Sequence, residues 1–416
     1  MATTDPLAPS ALAEPERPVR GGWIAAWTAA LFGMYAAYYG IAQIVLPKQA
    51  DELFGDSGKV PQIAWATGVS ALVTVVVVLL VGMLSDRTTA ARGRRQVWVL
   101  AGAVVAALAL AGQGLVTGAL AFVAVWGLAN AGISAMTAAL SAAVPDEVPV
   151  NQRAFVSAFM GISVSAGPLV GVALVALVVT DVLPGYLALA GLLLLLALPY
   201  SLGTRGTRLH PHERPRASAG DFLRGIVAPL RHADFAWAWS GRFFIQLSNA
   251  LAQVFLFYYL QDFLKYPDPE IGTFILTAIY AAGVCAVAVP AGRISDRTLK
   301  RKRMVWIASA LQGATGLIFG FVPVFEATMV GALLLGIGYG AYAAVDQALI
   351  TQVLPRPEDR GKDLGVIGIA NVLPYAATGL IGGIVIEAFG YPALMVLVLV
   401  TGLIAAATVA PIKSVR

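Results

Sequence analysis

The chain has 416 residues, 58% of them hydrophobic and only 12% charged, with a mean hydropathy of +0.78. A soluble domain carries roughly a quarter charged residues, so a large soluble catalytic domain is excluded and the bilayer becomes the solvent of this chain. A net charge of +5 on so apolar a protein reads as basic loops on one side of a membrane, and not as a nucleic-acid surface.

Residues 1–20 hold Asp5, Glu14, Glu16, four prolines and two arginines without an apolar core, which predicts a disordered tail and not a signal peptide. A spanning helix needs about 20 apolar residues. The apolar blocks predict spans near 22–46, 62–84, 96–116, 118–143, 154–179 and 184–202, then 236–260, 271–294, 304–324, 328–353, 364–388 and 392–412. The third and fourth are joined by barely two residues, which predicts a tight hairpin. The one long polar connection, 204–234, separates six spans from six. The expected fold is therefore an all-α membrane protein of twelve transmembrane helices in two six-helix bundles, 21–203 and 235–412, with 204–234 as a cytoplasmic linker. His210, His212 and His232 fall in that linker and read as solvated. Cys285, the one cysteine, lies in an apolar run and is expected to be packed; no disulfide is possible and no metal or other cofactor is implied.

Of the 28 basic residues 24 fall on the side of the tails and the even-to-odd loops, against Lys48, Lys59 and Lys265 on the other, with Arg242 inside a span. Both termini are thus expected in the cytoplasm, in a plasma (inner) membrane. The halves also repeat. Gly82-x-x-Ser85-Asp86-Arg87 recurs as Gly292-x-x-Ser295-Asp296-Arg297, a shift of 210 that also carries Trp27 onto Trp237 and Gln43 onto Gln253; a shift of 207 relates Arg153 to Arg360 and Gly161 to Gly368.

Gly82-Met83-Leu84-Ser85-Asp86-Arg87 followed by Arg92-Gly93-Arg94-Arg95 resembles the loop signature of the major facilitator superfamily, and the likeness runs from about residue 21 to 412. It implies alternating-access transport, with the loop carboxylate and arginines closing the cytoplasmic side by bridging neighbouring helices and the fifth helix of the second half. Asp86, Arg87, Arg94 and Arg95, with Asp296 and Arg297 in the second copy, are the gating candidates. Independently of the resemblance, Gly82 is expected to let two helices approach closely and Asp86 to pair with an arginine at a helix end. Pro145-Asp146-Glu147-Val148-Pro149 and Asp363-Leu364-Gly365 look like the sugar:cation symporters related to sucrose transporters, although Ala91, Gln96 and Val97 depart from that group's loop. Gly167-Pro168-Leu169-Val170-Gly171 looks like the signature of proton-coupled drug antiporters.

Four spans carry polar residues at helical spacing: Tyr35, Tyr39 and Gln43 on the first, Asn130, Ser134, Thr137 and Ser141 on the fourth, Arg242, Gln246, Asn249 and Gln253 on the seventh, Tyr339, Tyr342 and Asp346 on the tenth. A polar stripe in hydrocarbon points at another helix or at a water-filled cavity. Four stripes on repeat-related helices predict a solute cavity lined by Tyr35, Tyr39, Gln43, Asn130, Gln246, Asn249, Gln253, Tyr339 and Tyr342. The sixth span, nearly pure leucine and alanine, should face lipid.

Arg242 and Asp346 are the base and the acid placed well inside spans, at one depth of roughly 10–12 Å. A charge at mid-membrane costs on the order of 3 kcal/mol, so pairing is the cheapest arrangement. If the pair forms in one conformation only, proton affinity becomes tied to the access state, which makes Asp346 and Arg242 the proton-coupling candidates. The sequence holds no catalytic triad, metal cluster or phosphate loop, so an enzyme is not expected. The reading is a monomeric secondary transporter in the lipid bilayer, moving a sugar or related polar metabolite with a proton; drug or metabolite efflux and a non-transporting sensor or scaffold are the alternatives. No nucleic acid is expected as a partner.

Overall fold

In hydrocarbon each backbone amide must be satisfied within its own segment, and the described residues accordingly form helices and turns without a strand. The computed structural model describes residues 15–204, 206, 209, 229–298, 300–353 and 360–412, with the backbone alone at 154, 296, 347–353 and 360–368. The first half consists of α1 (21–54), α2 (56–86), α3 (Gln96–Gln113), α4 (Ala119–Glu147), α5 (Val150–Leu177) and α6 (Val182–Gly203). The second consists of α7 (233–263), α8 (Pro269–Thr298), α9 (Arg301–Phe321), α10 (Phe325–Val353), α11 (360–389) and α12 (391–408). Among the described residues these are twelve apolar rods.

The rods overrun the apolar blocks because a helix need not stop where hydrocarbon does. α1 continues to 54 through Lys48 and Asp51, and α4 continues to Glu147. The expected two-residue hairpin between α3 and α4 is instead a turn over 114–118, where Gly114 and Gly118 bracket Thr117. Of the expected tail, residues 1–14 lie outside the described residues, as do His210, His212 and most of the 204–234 connection, of which Pro229–Arg231 forms a single 3₁₀ turn.

The repeat extends to the backbone. Gly55 breaks α1 from α2 at φ +61°, and Lys265, displaced by 210, turns α7 into α8 at φ +53°. Only the first of these turns has a glycine, the residue that adopts this region without a Cβ penalty. A π-turn at Ile41–Val45 widens α1, and α7 bends by 46° at Phe255, the counterpart of Val45. Both opening helices of the halves are thus irregular at the same level, Gln43 lying within the π-turn.

Helix ends identify the two faces. On the terminal face, the Trp23 indole donates to Glu147 (2.6 Å), Gln96 donates to the same carboxylate (3.0 Å) and Lys302 donates to the Ile412 carbonyl (2.7 Å). On the distal face, Gln62 donates to the Ala119 carbonyl (2.6 Å), and Tyr266 stacks on Phe325. α1 packs against α5 and α6, α3 against α4, α8 against α10 and α9 against α12; the halves meet through α2 with α11 and α5 with α8. α6 buries Tyr186, Leu189, Leu193 and Tyr200 and exposes Leu187, Leu195 and Leu202, so only one side of the expected lipid-facing helix is outward. Cys285, expected to be packed, is exposed on α8.

Where α1 meets α5, a side chain on Gly171 would run into the Ala36 carbonyl. Gly171→Leu is expected to cost about 3 kcal/mol or more by overpacking and to lower the midpoint of thermal unfolding, whereas Gly191→Leu, where nothing lies within 4 Å, should leave it unchanged; equal midpoints for the two variants would refute the close approach.

The joint between the halves is uneven. Toward the distal face a Cβ on Gly379 would sit 2.7 Å from both the Ala64 carbonyl oxygen and the Gly68 nitrogen. Toward the terminal face, a Cβ on Gly82 of α2, Gly161 of α5 or Gly292 of α8 would meet nothing within 4 Å among the described residues. Gly82 was expected to seat a neighbouring helix, and in this conformation it does not. Gly161 is exposed there, and Gly82 and Gly292 are half-buried.

Candidate functional site

Two recesses adjoin midway along the rods, with about 620 and 770 Å³ of empty space, open mouths included. The first is walled by α5, α7, α8 and α10, the second by α2 and α4, with α1 and α11 reaching both. Tyr39 and Tyr375 border both recesses, and their hydroxyls are hydrogen-bonded to each other.

Most of the expected lining residues are there. Gln43 accepts from the Thr277 hydroxyl at 2.9 Å, Asn249 donates to the Tyr280 hydroxyl at 3.1 Å, and Gln253 donates to the Asn249 carbonyl oxygen. With Tyr39 and Tyr339 they face the first recess. Tyr35 and Asn130 face the second, where the Asn130 amide donates to the Trp126 carbonyl at 2.9 Å and Ser134 donates to Thr74 at 3.0 Å. Gln246 borders neither recess and hydrogen-bonds Tyr339 from behind. No charged side chain borders either recess among the described residues.

Arg242 and Asp346, 6% and 5% exposed, are ion-paired between α7 and α10. The Tyr342 hydroxyl donates to the other Asp346 oxygen at 2.8 Å. Tyr342, expected in the cavity wall, therefore belongs to this buried cluster, and Tyr339, ring to ring with Tyr342 at 6.4 Å, stands between cluster and recess.

At the terminal face Arg95 pairs with Asp86 (2.5 Å) and Asp146 (2.6 Å), and also donates to the Ser85 hydroxyl. Arg94 forks onto Asp146 at 2.6 and 3.0 Å. The gating candidates Asp86, Arg94 and Arg95 thus converge on the ends of α2 and α4, within the first half. Arg87 caps α2, its amide donating to the Leu84 carbonyl at 3.1 Å. In the second copy Arg297 is exposed, while the side chain of Asp296 lies outside the described residues. Asp86 is half exposed, so Asp86→Asn is expected to cost no more than about 1 kcal/mol of stability. Asp146→Asn, which strips two buried guanidinium groups, should cost several times as much; equal unfolding midpoints would sink that ranking.

The distal face carries bonds between the halves. Lys48 pairs with Glu270 at 2.6 Å, and Lys59, 1% exposed, is held by Asp51 (2.9 Å), Asp56 (3.0 Å) and Asp262 (2.8 Å). Gln261 donates to Asp51 at 2.7 Å, the Tyr258 hydroxyl to the Pro47 carbonyl at 2.8 Å, and the Tyr391 hydroxyl to Asp262 at 2.9 Å.

The family model described as Major Facilitator Superfamily matches residues 21–267 and 238–414. The chain belongs to the major facilitator superfamily. As a member of it, the protein is a secondary transporter of the membrane and not an enzyme. A hexuronate transporter of Bacillus subtilis (strain 168) is 29% identical over 151 residues, 35% of this chain. The match spans about a third (34%) of that relative. A crystal structure of the nucleoside transporter NupG superposes with a TM-score of 0.71 at 14% identity, over 94% of this chain and 98% of that one. A POT family transporter in complex with a thioalcohol-conjugated peptide gives 0.73 at 13% identity, over 92% and 94%. At these identities the structures speak for the fold alone, and the likenesses do not support a place among the sucrose-transporter group.

Sequence reasoning passed over Tyr38, Tyr280, Tyr375 and Thr277, which border the recesses of this transporter, although Thr277 and Tyr280 lie one turn apart on α8 and Asn371 and Tyr375 one turn apart on α11. The repeat was the available signal: Thr277 lies 210 residues after Thr67, and both face a recess. Asp146 and Glu147 were noted as part of a motif, but not Asp146 as the acceptor of the loop arginines nor Glu147 as the acceptor of Trp23 and Gln96. Lys48 and Lys59 were counted only as charges on the sparse side.

Proposed function

We propose that this transporter carries a neutral, polyhydroxylated solute, a sugar or related polar metabolite, by alternating access coupled to protons. The observation that carries the reading is the uncharged lining: amides of Gln43, Asn249 and Gln253 and hydroxyls of Ser134, Thr137 and Thr277 offer paired donors and acceptors beside tyrosine faces. An anion such as a hexuronate would bring a charge with no cation among the described residues of the wall to receive it, and desolvating an unpaired charge is prohibitive. The likeness to a hexuronate transporter thus supports a sugar-like size, without its charge. With the termini in the cytoplasm, as the distribution of Lys and Arg suggests, the ion pairs that tie the halves together at the distal face favour an inward-facing conformation, and Arg242 and Asp346 are the pair that responds to protons.

Drug efflux is the second reading, favoured by the number of tyrosine rings around the recesses, which would also accept a flat amphipathic cation. Thermal unfolding of the detergent-purified protein decides between them. A ligand that binds the native state at about 100 times its Kd adds roughly 2.7 kcal/mol, so millimolar glucose or maltose is expected to raise the midpoint while tetraphenylphosphonium does not. The opposite pattern would replace sugar by efflux. Cysteine placed at Tyr39, Gln43, Asn130 or Asn249 in a Cys285→Ser background should react with a polar thiol reagent and be protected by the sugar; inert cysteines at all four would mean that the stripes serve packing.

A further inference from the structure

The two recesses are images of each other under the internal repeat. On α2 the second recess is walled by Thr67, Ser70, Ala71 and Thr74; adding 210 gives Thr277, Tyr280, Ala281 and Val284, the α8 wall of the first. On α5 the first recess is walled by Val164, Ser165 and Pro168; adding 207 gives Asn371, Val372 and Tyr375, the α11 wall of the second. Seven positions on two pairs of helices coincide, so both halves contribute the same concavity and neither recess is an accident of packing.

Their chemistry has diverged. The α2 wall keeps three hydroxyls, from Thr67, Ser70 and Thr74, while its α8 counterpart has exchanged two of them for the Tyr280 phenol and the Val284 isopropyl group. The first recess instead gathers amides from α1 and α7. Between the two stands the hydrogen-bonded pair Tyr39 and Tyr375, which borders both.

We propose that the recesses are two subsites of one site, and that the solute has two linked polar units, a disaccharide or a glycoside, with one unit in the hydroxyl-lined recess of the first half and the other in the amide- and phenol-lined recess. This rests on the sugar reading above. A single small ring leaves one of two equally built concavities in water; a two-unit solute fills both and bridges the halves beside Tyr39 and Tyr375.

The test is calorimetric titration of the full-length purified protein with glucose and with maltose. Maltose is expected to bind about ten-fold more tightly, the gain of one or two net hydrogen bonds. Ala71 and Ala281 are repeat partners, one in each recess, which makes them matched blocking sites. Ala71→Phe should bring maltose down to the affinity of glucose. The volume-preserving pair Ser70→Ala with Thr74→Val should do the same in part, and guards against a misfolded Ala71→Phe. Glucose and maltose binding alike, or maltose indifferent to both the Phe variant and the hydroxyl-less pair, would overturn the two-subsite inference while leaving a sugar transporter. Failure of both sugars to bind would remove the sugar reading and this inference with it.

Discussion

Asp346→Asn is expected to abolish accumulation driven by a pH gradient in proteoliposomes while leaving substrate exchange between equal pools intact. At one proton per solute, a gradient of one pH unit is worth about 1.4 kcal/mol, or about ten-fold accumulation, and the variant should stay near one-fold. The geometry gives the reason. Asp346 is held by Arg242 on α7 and by the Tyr342 hydroxyl, behind a tyrosine that borders the recess, so a change in α7 relative to α10 alters what the carboxylate sees without moving any lining amide. An asparagine keeps the shape and removes the proton. It also leaves Arg242 as a buried charge without its partner, which costs about 3–5 kcal/mol, so the double variant Asp346→Asn, Arg242→Gln is the necessary companion. Exchange without accumulation in the double variant supports coupling through this pair. Accumulation that persists in either variant would move the coupling site elsewhere, and loss of folded protein in the single variant with full accumulation in the double would make the pair a structural tie.

How far the sequence led follows from what hydropathy and spacing measure. Hydropathy reports which segments enter hydrocarbon, and the rods follow from it; it is blind to where a helix ends in water, hence α1 reaching 54 and α4 reaching Glu147. Helical spacing reports a shared face, and it placed Gln43, Asn249, Gln253 and Tyr39 on one concavity. It could not separate Tyr342 from Tyr339, three residues earlier on α10, because both fall on the polar side of the helix and only the position of Asp346 decides which of them is captured. Short polar runs such as Thr277 with Tyr280, or Asn371 with Tyr375, also keep helical spacing, but hydroxyls this sparse in an apolar span are equally the mark of helix packing. Charge counting marked Lys59 as a residue on the sparse side, but its partners Asp51 and Asp262 sit in different halves, and no pattern local to one segment announces such a contact.

Lys59→Met is expected to shift the transporter away from the conformation described here. Lys59 is a buried cation whose ammonium joins Asp51 of the first half to Asp262 of the second, with the Tyr258 ring 5.3 Å away. Without it the two carboxylates face each other across the distal joint with their common counter-charge gone, and breaking a buried ionic contact by removing one partner costs about 3–5 kcal/mol. That cost falls on the state in which the distal face is closed. In a state with the distal face open, Asp51 and Asp262 are each in water and lose little. A bias of about 3 kcal/mol takes a 99:1 population to near parity, a change large enough to read with a cysteine at Asn249 in the Cys285→Ser background. A membrane-impermeant thiol reagent added from the distal side should label that cysteine slowly in the parent and much faster in Lys59→Met. Lys59→Arg, which keeps the charge, should label like the parent. Lys59→Met combined with Asp262→Asn should fall back toward it, because one of the opposed carboxylates is gone. Equal labelling in all four backgrounds would show that the distal ion cluster holds no conformational free energy and that the packing of Gly379 on Gly68 closes this face unaided. Asp262 and Arg242 lie on the same rod, either side of the bend at Phe255, so a Lys59→Met variant that opens the distal face should also change the pH dependence of exchange, through the pairing of Arg242 with Asp346.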